Sequence, residues 1–293
     1  MKQQFGGDWT ERKLAIIKKY LTAYMSIMKN QPFRVAYIDA FAGTGFRQAR
    51  TGCLEDAWLF PEDEEAEARD IRAGSARIAL EVKPPFHRYI YIEKNANKCT
   101  ALEQLRIDYH NLKDRIDIRQ GEANEEIKRL CQEQWKQHRA VMFLDPFGMQ
   151  VAWDTIQSIA STKAIDLWYL FPLGMGMNRL LVHRLEDMPV EFSTRLDLVI
   201  GDLGWRDRFY RKRVESGLFS RLEIVEKDAS FAGMREYLVE RLQTVFFGVA
   251  EHPVFLYNSK RNPMFLLCFA ASNEKGAKTA IKIANDLLRG INE

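Results

Sequence analysis

Three acids stand where an apolar run stops and a turn begins: Asp39 in Tyr37-Ile38-Asp39-Ala40-Phe41-Ala42-Gly43-Thr44-Gly45, Glu93 in Tyr91-Ile92-Glu93-Lys94-Asn95, and Asp145 in Phe143-Leu144-Asp145-Pro146-Phe147-Gly148. An open parallel sheet presents its ligand-binding groups in this way, at the carboxyl ends of buried strands. Gly43 and Gly45 remove side chains where the backbone would have to approach a ligand closely. Glu93 can accept from both hydroxyls of a ribose. Asp145 is placed to hold a reacting group, so the chemistry expected is a nucleoside-bearing cofactor beside a catalytic carboxylate. Glu122, after a further strand, is another candidate for the cofactor, with the helix dipole as a competing reason for an acid there.

Two other nucleotide sites fit less well. A dinucleotide fold wants G-x-G-x-x-G directly opening a helix, whereas Gln48 stands at the third glycine position and no helix follows promptly. A phosphate loop would need Gly-Lys-Ser/Thr, which is missing too. An adenosyl ligand without a pyrophosphate is the better match.

The elements that must position these residues follow from apolar periodicity. An amphipathic helix comes first, within residues 1–31, with Trp9, Leu14, Ile17, Tyr20, Leu21, Tyr24 and Met28 at helical spacing until Asn30 and Pro32. Strand Arg34 to Asp39 follows. The stretch 46–74 is too long for a simple connection and is expected to be an inserted loop or lid. Then helices at Ser75 to Val82, Asn97 to Tyr109, Asn124 to Trp135 and Trp153 to Ala160 alternate with strands at Arg88 to Glu93, Arg115 to Arg119, Ala140 to Asp145 and Ile165 to Phe171. Such alternation implies one α/β domain over 1–293, a parallel sheet with helices on both faces. A helical insertion over 176–235 is expected before two last strands, Val254 to Tyr257 and Met264 to Ala270, and a final helix from Lys275 to Leu288.

The same motifs resemble a known family. Asp-x-Phe-x-Gly-x-Gly on the first strand, an acid ending the second and Asp-Pro-Phe-Gly ending the fourth are similar to class I S-adenosylmethionine-dependent methyltransferases. Together with Pro172-Leu173-Gly174-Met175, they resemble more narrowly the three-Cys-motif partner family, often called TcmP, over nearly the whole chain. The resemblance implies a Rossmann-like class I methyltransferase sheet and S-adenosylmethionine as cofactor, with contacts at Asp39, Phe41, Gly43, Gly45, Glu93 and Lys94. It also implies a partner protein resembling radical S-adenosylmethionine enzymes, and with it an alternative role as a non-catalytic adenosyl-ligand-binding partner.

Asp145, Pro146 and Phe147 narrow the reaction. In methyltransferases of exocyclic base amines, an Asp/Asn-Pro-Pro-aromatic turn holds the amine by its carboxylate or amide and a proline carbonyl, so catalysis rests on positioning. Asp145-Pro146-Phe147-Gly148 departs from that pattern at its last two positions and is closer to the Asp-Pro-Phe-Gly of transfer-RNA guanine-N2 methyltransferases. The expected substrate is an amino group of a nucleic-acid base or nucleotide; a duplex base would have to be flipped out.

The segment from Trp205 to Arg213 interleaves aromatic rings with Arg206, Arg208, Arg211, Lys212 and Arg213, cations suited to phosphates beside rings suited to bases. Read as a helix, it puts Trp205, Phe209 and Lys212 on one face. A core-packed aromatic stripe with a solvated basic face is the competing explanation. Arg34, Arg47, Arg50, Arg179 and Arg184 are candidates to line the same cleft. With 43 Lys plus Arg against 40 Asp plus Glu, the net charge of +3 leaves a polyanionic partner to such local clusters. The 4 cysteines are scattered, without Cys-x-x-Cys or His at ligand spacing, so no metal is expected. No segment approaches the roughly 20 apolar residues of a membrane span, and a soluble cytoplasmic protein is expected.

Overall fold

The computed structural model describes residues 7–43, 74–146, 148–216 and 221–290. Of the expected site, Gly45 and Phe147 lie outside the described residues, as does the 46–74 stretch apart from Gly74. Helix α1 spans Gly7–Met28 and strand β1 Arg34–Asp39. They are followed by α2 (Ser75–Leu80), β2 (Arg88–Glu93), α3 (Ala96–Asp108), β3 (Ile116–Gln120), α4 (Ala123–Cys131), β4 (His138–Leu144), α5 (Trp153–Ser161) and β5 (Ile165–Phe171). After β5 come α6 (Val190–Ile200), α7 (Trp205–Phe209), β6 (Tyr210–Ser216), β7 (Arg221–Lys227), α8 (Phe231–Gln243), β8 (Gly248–Val249), β9 (Val254–Tyr257), β10 (Pro263–Ala271) and α9 (Glu274–Arg289).

Eight strands form one sheet in the order β3-β2-β1-β4-β5-β10-β8, with β9 also paired to β10. The first five are parallel, and β10 runs antiparallel to β5, β8 and β9. Val249 pairs with Ala270 while Val254 pairs with Leu267, so β8 and β9 are two halves of one interrupted edge strand. This is the mixed sheet of the Rossmann-like class I methyltransferase fold. Strand order reverses between β1 and β4, where a ligand crevice is expected.

Alternation along the strands divides the core in two. Tyr37, Tyr89, Tyr91, Phe143 and Trp168 face α1, α2 and α9, and meet Ile17, Tyr20 and Leu21 of the first helix. Ile38, Ile90, Ile92, Met142 and Leu144 face α4, α5, α6 and α8. With both faces covered, β5 is buried at every position and reads as an unbroken apolar run apart from Asp166.

The structure corrects the helical reading of Trp205 to Arg213. α7 stops at Phe209, and Tyr210 opens a hairpin in which β6 and β7 pair antiparallel from Tyr210–Lys227 to Ser216–Arg221. Arg184 bridges to Glu226 at its edge. The expected helical insertion thus holds a two-stranded sheet. Tyr210, Val214, Ile224 and Val225 favour a pleated surface, and pairing between strands outweighs a local helical pattern. Lys212 consequently alternates with Arg211 and Arg213 instead of sharing a face with Trp205 and Phe209.

Candidate functional site at the carboxyl edge of the sheet

In register, Tyr91 of β2, Asp39 of β1 and Phe143 of β4 stand side by side. Side chains alternate along a strand, so Glu93, two positions beyond Tyr91, and Asp145, two beyond Phe143, emerge on the same face as Asp39, while Phe41, past the end of β1, packs against the opposite cluster. Three acids from three adjacent strands therefore share one face at the carboxyl edge. Tyr37, two positions before Asp39, reports the same grouping. Its hydroxyl is pushed well above the usual phenol range, first by burial and then by the charges of Asp39, Tyr91 and Asp145.

Asp39 is 0% exposed. One of its oxygens accepts a 2.6 Å hydrogen bond from the Ser75 hydroxyl, and the other accepts from the Phe41 N–H at 3.3 Å. The Tyr91 hydroxyl donates to the Ala76 carbonyl at 2.9 Å. The end of β1 and the start of α2 are thereby tied together across the stretch that separates them in sequence. Gly43 follows with a φ of 60°, in the left-handed region that favours glycine, and a Cβ there would meet nothing within 4 Å. None of the described residues fills the space beside this turn.

Glu93 is half-buried, and its Oε1 accepts a 2.9 Å bond from the Asn95 N–H, which fixes the carboxylate at the strand end. Asn95 in turn caps α3 by accepting from the Lys98 N–H at 3.2 Å. Lys94 is exposed between them. Glu122 has a structural job: it caps α4, with Oε2 accepting from the Glu125 N–H at 3.1 Å and Oε1 from the Asn124 amide at 2.9 Å. The helix-start explanation accounts for this geometry.

Asp145 is 1% exposed and directly follows β4; Gly148 to Ala152 lead into α5. Asn124 braces that lead-in, donating to the Gln150 carbonyl at 3.0 Å and accepting from the Ala152 N–H and the Thr155 hydroxyl, each at 2.9 Å. Neither Ser75 nor Asn124 is visible as a site residue in sequence, because each acts through a partner at least 26 positions away. Met175 and Met177, on the turn after β5, are buried core residues. Gly174 lets that turn press against β10, since a Cβ would stand 1.7 Å from the Pro263 carbonyl oxygen.

The basic residues do not converge on this edge as one free patch. Arg206 turns inward, with two bonds to Asp197 at 2.7 and 3.0 Å and its guanidinium over the Trp205 ring. Arg208 pairs with Glu240 at 3.3 Å, Arg211 with Asp228, and Arg213 with Glu226 at 3.6 Å. Trp205 and Phe209 are 0% and 1% exposed, so the aromatic stripe is core. Arg34 opens β1 and so lies at the opposite edge of the sheet from Asp39. Arg47 and Arg50 lie outside the described residues. Among the described residues, no group of three or more His, Cys, Asp and Glu is arranged to hold a metal ion, and no helix is long and apolar enough to cross a membrane.

No family model and no curated protein matches the chain. Among solved structures, protein LPL1258 from Legionella pneumophila str. Philadelphia 1 aligns with 94% of this chain and 90% of its own at 10% identity and a TM-score of 0.49. An O-methyltransferase from Bacillus cereus, solved in complex with SAH, covers 86% and 80% at 12% identity and a TM-score of 0.35. The glycopeptide N-methyltransferase MtfA, also complexed with S-adenosyl-L-homocysteine, covers 86% and 89% at 9% identity and a TM-score of 0.36. These are likenesses of outline; the strand order is what defines the fold of this chain.

Proposed function

We propose that this chain is an S-adenosylmethionine-dependent methyltransferase acting on an amino group of a nucleic-acid base or nucleotide. The observation that carries the reading is the row of Asp39, Glu93 and Asp145 on one face of three neighbouring parallel strands, at the point where strand order reverses. When bound, S-adenosylmethionine supplies an electrophilic methyl on a cationic sulfur. Glu93, held by the Asn95 N–H, takes the ribose hydroxyls. Asp39 braces the Gly43 turn through the Phe41 N–H, and that turn, where Gly43 itself adds no side chain, receives the remainder of the cofactor.

Asp145 and the Pro146 carbonyl offer two acceptors to an amine. Donating to both, the amine would turn its lone pair toward the methyl, and alignment would supply most of the rate enhancement. Its buried carboxylate offers the positive charge arising at nitrogen a fixed counter-charge in a low-dielectric setting. Arg208 and Arg211 sit in exposed ion pairs, which contribute little to stability and exchange readily for phosphate, and Arg213 is itself exposed beside the largely buried Glu226. These arginines form the nucleic-acid contact in this reading, with Lys212 on the other face of the hairpin, while Arg206 serves α6. Transfer of labelled methyl to bulk RNA or DNA tests the proposal. Asp145→Ala should abolish transfer and retain cofactor binding; absence of transfer by the parent chain to either polymer would refute it.

A further inference from the structure

A cleft of about 220 Å³ opens at the amino edge of the sheet, between the starts of β1, β2 and β4. It is about 17 Å along β1 from Asp39, at the usual rise per strand residue, and shares no residue with the methyltransferase reading. Its floor is apolar, from Val35, Ala36 and Ile90, and the half-buried Trp135 lines it. The indole N–H of Trp135 donates to the Leu130 carbonyl at 3.0 Å, which holds the ring in place.

Arg34, Arg88 and His87 bring donors to the cleft. The Val35 N–H donates to His87 Nδ1 at 3.0 Å, which leaves Nε2–H as the donor of that ring. Burial and then the charges of Arg34 and Arg115 lower the His87 pKa, keeping the imidazole neutral in this arrangement. Arg34 lines the cleft beside it, and its guanidinium makes no hydrogen bond or ion pair with the described residues. Glu133 is the acid of the lining, and it is already neutralised by Arg119 at 3.1 Å and Arg88 at 3.6 Å. A free cation next to a neutral donor is suited to a phosphate, while a flat aromatic wall over an apolar floor is more than a lone phosphate requires.

We propose that this cleft binds a nucleoside 5′-monophosphate, the phosphate on Arg34 and His87 Nε2–H and the base against Trp135. Calorimetric titration of the full chain with uridine 5′-monophosphate, in saturating S-adenosylmethionine so that the carboxyl edge is blocked, tests it. The nucleotide should bind, and Arg34→Ala, a change at an exposed side chain, should weaken binding at least tenfold while leaving thermal unfolding unchanged. Uridine and inorganic phosphate should each bind at least tenfold more weakly than the nucleotide. No binding, unchanged binding in Arg34→Ala, or phosphate binding as tightly as the nucleotide would each overturn the proposal.

Discussion

Replacing Asp166 with Asn should change how stability depends on pH and leave the carboxyl edge alone. Asp166 is buried near the start of β5, facing Tyr20 and Tyr24 of α1, Arg139 of β4 and Ser272 after β10. Burial raises its pKa to about 7, against the pull of the Ser272 N–H, the Tyr20 hydroxyl and Arg139. An unfolded carboxyl titrates near 3.9, so between about pH 4 and 7 the folded chain binds more protons than the unfolded one and stability falls as pH rises. This group's contribution is fully present below the unfolded pKa and lost as pH passes the folded one. At about 1.4 kcal/mol for each pH unit of displacement, the loss has a ceiling of about 4 kcal/mol. Asn keeps the size and one acceptor but cannot ionise. Urea unfolding should therefore find Asp166→Asn more stable than the parent at pH 8, by a midpoint difference of up to about 1 M at a slope near 3 kcal/mol/M. The advantage should shrink toward pH 5. Parallel pH dependences in the two proteins would refute the reasoning.

Four further outcomes follow. Ser75→Ala removes a 2.6 Å donor from a buried carboxylate and should lower stability by about 1–3 kcal/mol in urea unfolding, with weakened S-adenosylmethionine binding by calorimetry. Gly174→Ala would put a Cβ against the Pro263 carbonyl and should leave the chain largely insoluble on expression. Gly43→Ala meets none of the described residues and should cost about 1–2 kcal/mol for its left-handed backbone while weakening cofactor binding. Glu122→Ala removes the α4 cap and should cost about 1 kcal/mol; a tenfold loss of cofactor affinity would assign it a second role.

Much of the site was legible because parallel strands leave two readable marks, a buried run and the polar residue that ends it. β5 is found at Ile165–Phe171, the span expected, since burial on both faces leaves no polar interruption apart from Asp166. Asp39, Glu93 and Asp145 were visible as strand ends, and the register places them together. The Ser75 bond to Asp39 was not visible, since it closes across 36 positions of chain. The hairpin at Tyr210–Ser216 was missed because its partner strand, not its own pattern, decides its state. Placing Arg34 in the ligand cleft neglected strand direction: a residue that opens a strand stands at the edge opposite the one that ends it.

The central claim is that the acids at the carboxyl edge hold S-adenosylmethionine, and calorimetric titration of the parent chain and Glu93→Ala tests it most directly. Glu93 is half-buried and lies at a strand end, so the variant should fold. Losing a carboxylate that takes ribose hydroxyls removes one or two charge-assisted hydrogen bonds, about 1.5–3 kcal/mol each, or roughly tenfold to ten-thousandfold in affinity. The account predicts binding by the parent chain and at least tenfold weaker binding by Glu93→Ala. Equal affinities, or no binding by the parent chain, would contradict it.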